Sequence, residues 1–432
     1  MNAITASGAS NRNGQPHALA EIDETNGALP KDIARRNTIR ETLAGLDASH
    51  DGYAVQFVEH LLRFAREVGT SDVHLQPTAD GIDLRYRSDG VLNRLGTYPV
   101  GKVSSPVSRL KILSGLLSYR SDFPQEGRII APEGPEIRVS TFPTLYGERA
   151  VLRLFGAQQD YRELHQLGHS DRFVEQLKNA LAETSGAILI AGPAGSGKST
   201  TLYASLRHLV QVSTVSRSIV SLEDPIEVPI PGVAQSQVNP SADFTLHSGL
   251  RAMLRQDPEV IIVGEIRDKL AAEVAIEASL TGQLMLTTFH AESAATAVSR
   301  LTEMGIEPYL LRSGVIAIVC QRLLRTLCDC SVESHDQADF FGLPIDWARK
   351  PVGCETCDQT GFRGRVVTSE FPDLRESNLA QAILQREDSR KIYRLAVDHG
   401  MESLWERATV LVREGITSPC EVRRVLGVSM RL

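Results

Sequence analysis

No stretch of this sequence approaches the ~18 consecutive apolar residues that would cross a bilayer as a helix. The N-terminus, MNAITASGASNRNGQPHALA, has no basic stretch followed by an apolar core, as a secretory signal would. The expectation is a cytoplasmic chain. Basic excess is also missing: the formal net charge is −7, and no basic stripe interleaved with aromatics runs along the sequence. Both absences argue against a general nucleic-acid binder. Cysteine is scarce, with six in 432 residues, yet Cys328, Cys330, Cys354 and Cys357 cluster while Cys320 and Cys420 stand apart. In a large chain with no signal, such a cluster reads as metal ligation before disulfide bonding.

What is present divides the chain. Its length suits two or three domains, each with its own core. Residues 1–50 are rich in Ala, Asn, Gly and charge and are expected to be a flexible arm, with a short helix at most in PKDIARRNTIRETLAGL. A mixed α/β domain is expected over 51–157. It opens with a helix carrying Phe57, Val58, Leu61, Leu62, Phe64, Ala65 and Val68 at helical spacing. A hairpin follows, in which Ile82, Leu84 and Tyr86 alternate with Asp83, Arg85 and Arg87 before an Asp89-Gly90 turn. One more helix in SSPVSRLKILSGLLSY and strands in GRIIAP, EIRVSTF and RAVLRLF complete it.

From 158 to 432 apolar strands alternate with longer helices, which implies a parallel sheet. AILIA leads into Gly192, SIVSL into Glu223, VIIVG into Glu265, and QLMLTTF into His290. Ligands of open α/β sheets bind beyond the carboxyl ends of the strands, and each of these residues falls there.

Gly192-Pro193-Ala194-Gly195-Ser196-Gly197-Lys198-Ser199 fits G-x-x-x-x-G-K-[ST] between a strand and a helix that continues with Thr200. Such a loop wraps backbone N–H groups around phosphates, offers the Lys198 charge to the β and γ phosphates of ATP, and gives the Ser199 hydroxyl to Mg²⁺. The bland alternative is a glycine-rich turn that binds nothing. Glu265 reads as the acidic partner on Mg²⁺ or its water, or as half of a salt bridge to Arg267. Glu223 and Asp224 can position and deprotonate a water; Asp224-Pro225 can equally be a turn, which leaves Glu223 the better catalytic candidate. His290 is a γ-phosphate contact or a structural histidine. Phosphoryl transfer also needs a cation on the transition state. Arg85, Arg87, Arg109 and Arg128 are candidates, although surface arginines are usually just solvated.

The cysteines read C-x-C, a 23-residue gap, then C-x-x-C, a set suited to tetrahedral zinc, with His335 as a substitute ligand and free thiols as the alternative. The expected metal loop spans 326–366, with a helical region over 376–432.

Together SDVHLQP, RYRSDGVL, PQEGR, RVSTFPTLYGERAVLRL, GPAGSGKSTTLY, SLEDPIE, QVNP, GLRAMLRQDPEVIIVGEIRD, TTFHAESAATAVSRLTEMGI, QRLLRTLC, CETCDQTGFRGR and GMESLWERATVLVREGIT resemble the assembly ATPases of type II secretion systems and type IV pili. The resemblance implies a RecA-like ATPase domain in which the phosphate loop, Glu223/Asp224, Glu265 and His290 surround ATP. It further implies a homohexamer with Arg87 and Arg109 reaching a neighbour's ATP, and a zinc module touching the neighbouring subunit. Hydrolysis would act on an inner-membrane platform protein, placing the chain at the cytoplasmic side of that membrane, with no direct nucleic acid. Retraction ATPases and weakly hydrolysing regulatory subunits are the alternatives. Retraction relatives lack the cysteine module. The sequence departs from the family pattern at Ser121-Asp122, where a basic pair is usual, and in the tight Cys328-x-Cys330 spacing.

Overall fold

The computed structural model describes residues 31–130, 136–154, 163–212 and 217–427. The first domain begins with α1 (Lys31–Ala44) and α2 (Tyr53–Glu67), followed by β1 (Asp72–Thr78), β2 (Gly81–Ser88) and β3 (Val91–Tyr98). After α3 (Pro106–Leu113) come β4 (Gln125–Ile129), β5 (Ile137–Thr144) and β6 (Gly147–Leu154). The six strands form one antiparallel sheet in the order β3-β2-β1-β6-β5-β4. The expected alternation in β2 holds in part: Ile82, Leu84 and Tyr86 are buried against Phe57, Leu61 and Phe64 of α2, but Asp83 is buried as well, its carboxylate taken by Arg85 and Arg94. Asp89 and Gly90 both take positive φ, as the two-residue turn of a right-twisting hairpin requires.

The flexible arm expected through residue 50 needs correction. Helix α1 places Ile39 and Leu43 in the first domain's core, because two apolar residues four apart share one helix face. Residues 1–30 of that arm lie outside the described residues. The helix expected across 104–119 is shorter, ending at Leu113. Within it Lys111 is fully buried and donates to Glu148 at 2.8 and 2.9 Å and to the Arg120 carbonyl, which ties α3 to β6.

The second domain runs α4 (Asp171–Leu181), β7 (Gly186–Ala191), α5 (Lys198–Val212), β8 (Ile219–Glu223), β9 (Ala234–Gln237), α6 (Leu246–Met253) and β10 (Val260–Glu265). It continues with α7 (Lys269–Leu280), β11 (Leu284–Phe289), α8 (Ala294–Glu303), α9 (Pro308–Gly314) and β12 (Val315–Leu327). A short pair, β13 (Val332–Ser334) and β14 (Ala348–Lys350), precedes β15 (Phe362–Glu370) and the helices α10 (Ser377–Leu384), α11 (Ser389–Asp398), α12 (Leu404–Arg413) and α13 (Pro419–Leu426).

The seven-stranded sheet has the order β15-β12-β7-β11-β10-β8-β9, parallel throughout except for edge strand β15. Strand β7 is buried at every residue: Leu189 joins the core formed with α7 and α8, whereas Ile188 and Ile190 join the core formed with α4 and α5. Two covered faces explain why these strands read as unbroken apolar runs. The domains meet where Arg36 and the Tyr86 hydroxyl reach Asp358 at 3.3 and 3.4 Å, and where Asp89 takes Arg365 and the Gly364 N–H, both at 3.3 Å.

Candidate nucleotide and metal sites

The chain leaves β7 at Ala191, curls through Gly192, Pro193, Ala194, Gly195, Ser196 and Gly197, and enters α5 at Lys198. A Cβ on Gly192 would lie 2.3 Å from Ser196 Oγ and 2.7 Å from the Gln321 carbonyl, so only glycine fits. Gly195 and Gly197 hold positive φ, which lets successive N–H groups turn to one side. Ser196 Oγ is buried with no hydrogen-bond partner among the described residues. Lys198 Nζ donates to the carbonyls of Gly192 and Pro193 at 3.0 and 2.9 Å. Burial lowers its pKa from the ordinary lysine value, while the nearby Glu265 carboxylate works the other way. A tight glycine cradle, an orphaned hydroxyl, a lysine and the free N–H groups of a helix start fit the phosphates of a nucleotide.

Next to the loop, Ser199 donates to Glu227 Oε1 at 3.2 Å. Glu227 is held in turn, because its N–H donates to the Tyr203 hydroxyl at 3.0 Å and that hydroxyl donates to Glu223. Glu223 is 4% exposed, and it also accepts from Ser221 at 2.6 Å and Gln235 at 3.0 Å. Three protein donors thus meet its buried carboxylate, and through the Tyr203 hydroxyl they connect Glu223 to the loop carrying Glu227. Asp224 is exposed, and the Asp224-Pro225 peptide is cis.

Glu265 and His290 end neighbouring strands β10 and β11 and meet, His290 Nε2 lying 2.8 Å from Glu265 Oε1. The Arg267 alternative is present as well, with its guanidinium 3.0 Å from Glu265 Oε2. A register irregularity between Val263 and Glu265 re-aims this strand end, and Thr288 pins it by donating to the Gly264 carbonyl at 2.7 Å. Arg300 of α8 donates to the His290 carbonyl.

The four arginines stand apart from this group. Arg85 is held by Asp83 at 2.7 Å, Arg87 by Asp72 at 3.3 Å and Arg128 by Glu136 at 3.3 Å. Among the described residues Arg109 has no ion-pair partner. None of the four bonds to the strand-end residues of its own chain.

The sulfurs of Cys328, Cys330, Cys354 and Cys357 all lie within 4.8 Å of one another. Cys328–Cys354, Cys330–Cys357 and Cys354–Cys357 are each 3.8 Å apart, and all four are free thiols. Four thiolates about 2.3 Å from one tetrahedral ion would sit about 3.8 Å apart, so the set fits zinc. The N–H groups of Cys354 and Gly361 donate to Cys357 Sγ at 3.2 and 3.1 Å, which is how outer partners steady a metal-binding sulfur. His335 lies outside this cluster and is exposed, its ring 3.4 Å from the Asp346 carbonyl, so the substitute-ligand expectation is corrected. Asp358, next to Cys357, contacts the first domain of this same chain through Arg36.

Sequence reasoning passed over Glu227 and Gln321. Glu227 lay inside SLEDPIE, four residues past Glu223. Gln321 and Arg322 stand out only once β12 is known to be a buried strand, since a polar pair in its middle then demands partners.

A glycine loop between the first parallel strand and its helix, with acids and a histidine at neighbouring strand ends, defines a RecA-like phosphate-loop nucleotide-binding domain. Residues 47–424 match the model of the type II/IV secretion system protein family, and the chain belongs to that family. It is 37% identical over 94% of its length to a type IV pilus assembly ATPase PilB of Thermus thermophilus, of which it spans 46%. It is 40% identical over 88% of its length to a type II secretion system protein E of Aeromonas hydrophila, of which it spans 77%. Its fold resembles the Yersinia pseudotuberculosis ATPase DotB, with a TM-score of 0.64 and 21% identity, covering 89% of this chain and 96% of that one. The pilus retraction motor PilT with bound ADP gives 0.56 and 24%, covering 85% and 96%. Among the described residues no helix is long and apolar enough to cross a membrane.

Proposed function

We propose that this chain is an ATP hydrolase that works as a homohexameric motor. It would drive assembly of a type II secretion pseudopilus or a type IV pilus at the cytoplasmic side of the inner membrane, through a platform protein of that membrane. The observation that carries the reading is the gathering of the Gly192–Ser199 loop and the Glu265–His290 pair at the carboxyl ends of adjacent parallel strands. The assembly ATPase and secretion protein E relatives support the mechanical role.

In this reading the loop N–H groups and Lys198 bind the β and γ phosphates, and Ser199, with Glu227 behind it, holds Mg²⁺. Bound Mg²⁺ would neutralise phosphate charge. Glu265, at the end of β10, is the carboxylate that accepts a proton from water or holds the water on Mg²⁺. His290, 2.8 Å away, fixes its direction and contacts the γ-phosphate. Zinc in the four-cysteine site holds the loop around residues 328–361. Arg109, without an ion-pair partner among the described residues, is the stronger choice over Arg87 for a cation donated to a neighbour's site.

The test is ATPase rate per subunit against protein concentration, with mass photometry on the same samples. A rate that rises as hexamers appear supports a site completed across an interface. Full activity in the monomer would leave the ring motor without a mechanical basis.

A further inference from the structure

Strand β12 lies inside the ATPase sheet between edge strand β15 and β7, and its residues from Ala317 to Arg322 are all buried. Placing Gln321 and Arg322 in that run is costly unless their polar atoms are paired. The Gln321 side chain, in a residue only 1% exposed, has one end of its carboxamide committed to the phosphate loop and the other to the helix that follows it. Nε2 donates to the Ser196 carbonyl at 2.8 Å, and Oε1 accepts from the Thr201 hydroxyl of α5 at 3.0 Å. The same residue's backbone carbonyl is the wall that would stand 2.7 Å from a Cβ on Gly192, and its Nε2 would stand 3.0 Å from one on Gly197. Gln321 thus touches the loop at its entry, near its end and in the first turn of the helix beyond.

We propose that Gln321 is a positioning residue for nucleotide binding: from the neighbouring strand it sets the direction in which the phosphate loop presents its N–H groups. A trans peptide points its C=O and N–H in opposite directions. Anchoring the Ser196 carbonyl on β12 therefore turns the Gly197 N–H away from β12. Anchoring Thr201 at the same carboxamide fixes the first turn of α5, and with it Lys198 and Ser199, to the same strand. Arg322 extends the brace to the histidine loop, donating to the Glu292 carbonyl at 2.6 Å, two residues past His290. One stretch of β12 thereby holds the two halves of the site in register.

This inference rests on the ATP reading above. The test compares wild type with Gln321→Met, which keeps the length and loses both bonds, and with Thr201→Val and Thr201→Ser. The readouts are the dissociation constant of a fluorescent ATP analogue, kcat and KM for ATP, and thermal melting without nucleotide. Gln321→Met is expected to weaken analogue binding about tenfold and to lower kcat as well, since losing a buried hydrogen-bond partner has effects of this size. Thr201→Val should weaken binding by a smaller factor, and Thr201→Ser, which keeps the hydroxyl, should recover most of that loss. A purely structural role would lower the melting temperature and leave the affinity and kcat of the folded fraction as in wild type. That result overturns the inference while leaving the ATP reading intact. Should Gln321→Met fail to fold, the Thr201 pair decides: equal affinities for Thr201→Val and Thr201→Ser overturn the proposal. A wild-type chain that binds no ATP analogue removes the ATP reading and this inference with it.

Discussion

The phosphate loop and the four-cysteine loop are both turns that cannot hold themselves, and they are held by different means. The first is fastened by a sheet: β7 is packed on both faces, α5 covers one of them, and Gln321, Thr201 and Lys198 tie the loop to strands and to itself. The second is fastened by the short strands β13 and β14, by the β12–β15 pairing of Leu327 with Phe362 and by a small core in which Phe340, Leu343 and Ala348 meet α12 and α13. Its four sulfurs add a direct tie between residues 328–330 and 354–357. A site built by a core exists before its ligand arrives, whereas a tie made through an ion depends on the ion.

The sharpest way to separate the two is to remove one chemical group from each. Lys198→Ala should lower ATP turnover by about a thousandfold or more, because the cation on the phosphates is lost. Folding should change little, since the core around β7 does not rely on that ammonium. Turnover like wild type in steady-state kinetics would remove the phosphate-loop assignment.

Cys354→Ser reverses the pattern. Metal content by elemental analysis should fall from one zinc per chain toward none, with faster hydrogen exchange across 328–361 and unchanged protection in β7 and β10. Because Asp358 beside the cluster carries the Arg36 contact, exchange in α1 should rise too. Unchanged metal content would sink the four-cysteine site.

Glu223→Gln tests whether the sheet-borne site also relies on carboxylates for shape. Three donors converge on Glu223, and an amide would turn its own N–H₂ toward at least one of them. Destabilisation of about 1–3 kcal/mol by denaturant titration is expected. The accompanying loss of activity should be partial, as suits a group acting through Tyr203 and Glu227. A loss as deep as that of Lys198→Ala, with stability unchanged, would assign Glu223 to direct catalysis.

How legible these regions were follows from what each depends on. Parallel strands buried on both faces show as apolar runs, so β7, β8, β10 and β11 and the residues at their ends could be read directly. Cysteine spacing announced the second site for the same local reason, leaving His335 and free thiols as alternatives, and the turn at Asp329 lets the tight C-x-C pair join the cluster. What stayed hidden is long-range. Gln321 becomes meaningful only when β12, more than 120 positions away, is seen beside the loop. That Glu223 is enclosed depends on Tyr203 from another helix. Helix α1 was foreseen only as a short helix within an arm, because its many charged residues mask two core contacts, Ile39 and Leu43.

The smallest expected effect concerns a second buried carboxylate of the same sheet, and it contrasts with Glu223. Glu370 ends β15 beside Cys320 and is 1% exposed. Oε1 accepts from the Ala294 N–H that opens α8 at 2.6 Å, while Oε2 is without a partner among the described residues. Burial pushes its pKa up to about 7, against the Ala294 N–H and the Arg322 charge, both of which favour ionisation. A carboxyl raised on folding favours the folded state while it keeps its proton. That advantage is full below the ordinary carboxyl range and is lost as pH rises through about 7. Glu370→Gln keeps an acceptor for Ala294 and carries no charge, so it should match wild type near pH 5 and melt higher near pH 8, by an amount corresponding to about 1–2 kcal/mol. If Arg322 dominates over burial, the sign at pH 8 reverses and the variant melts lower. Melting curves at the two pH values therefore decide which of the two forces governs the join between β15 and the start of α8.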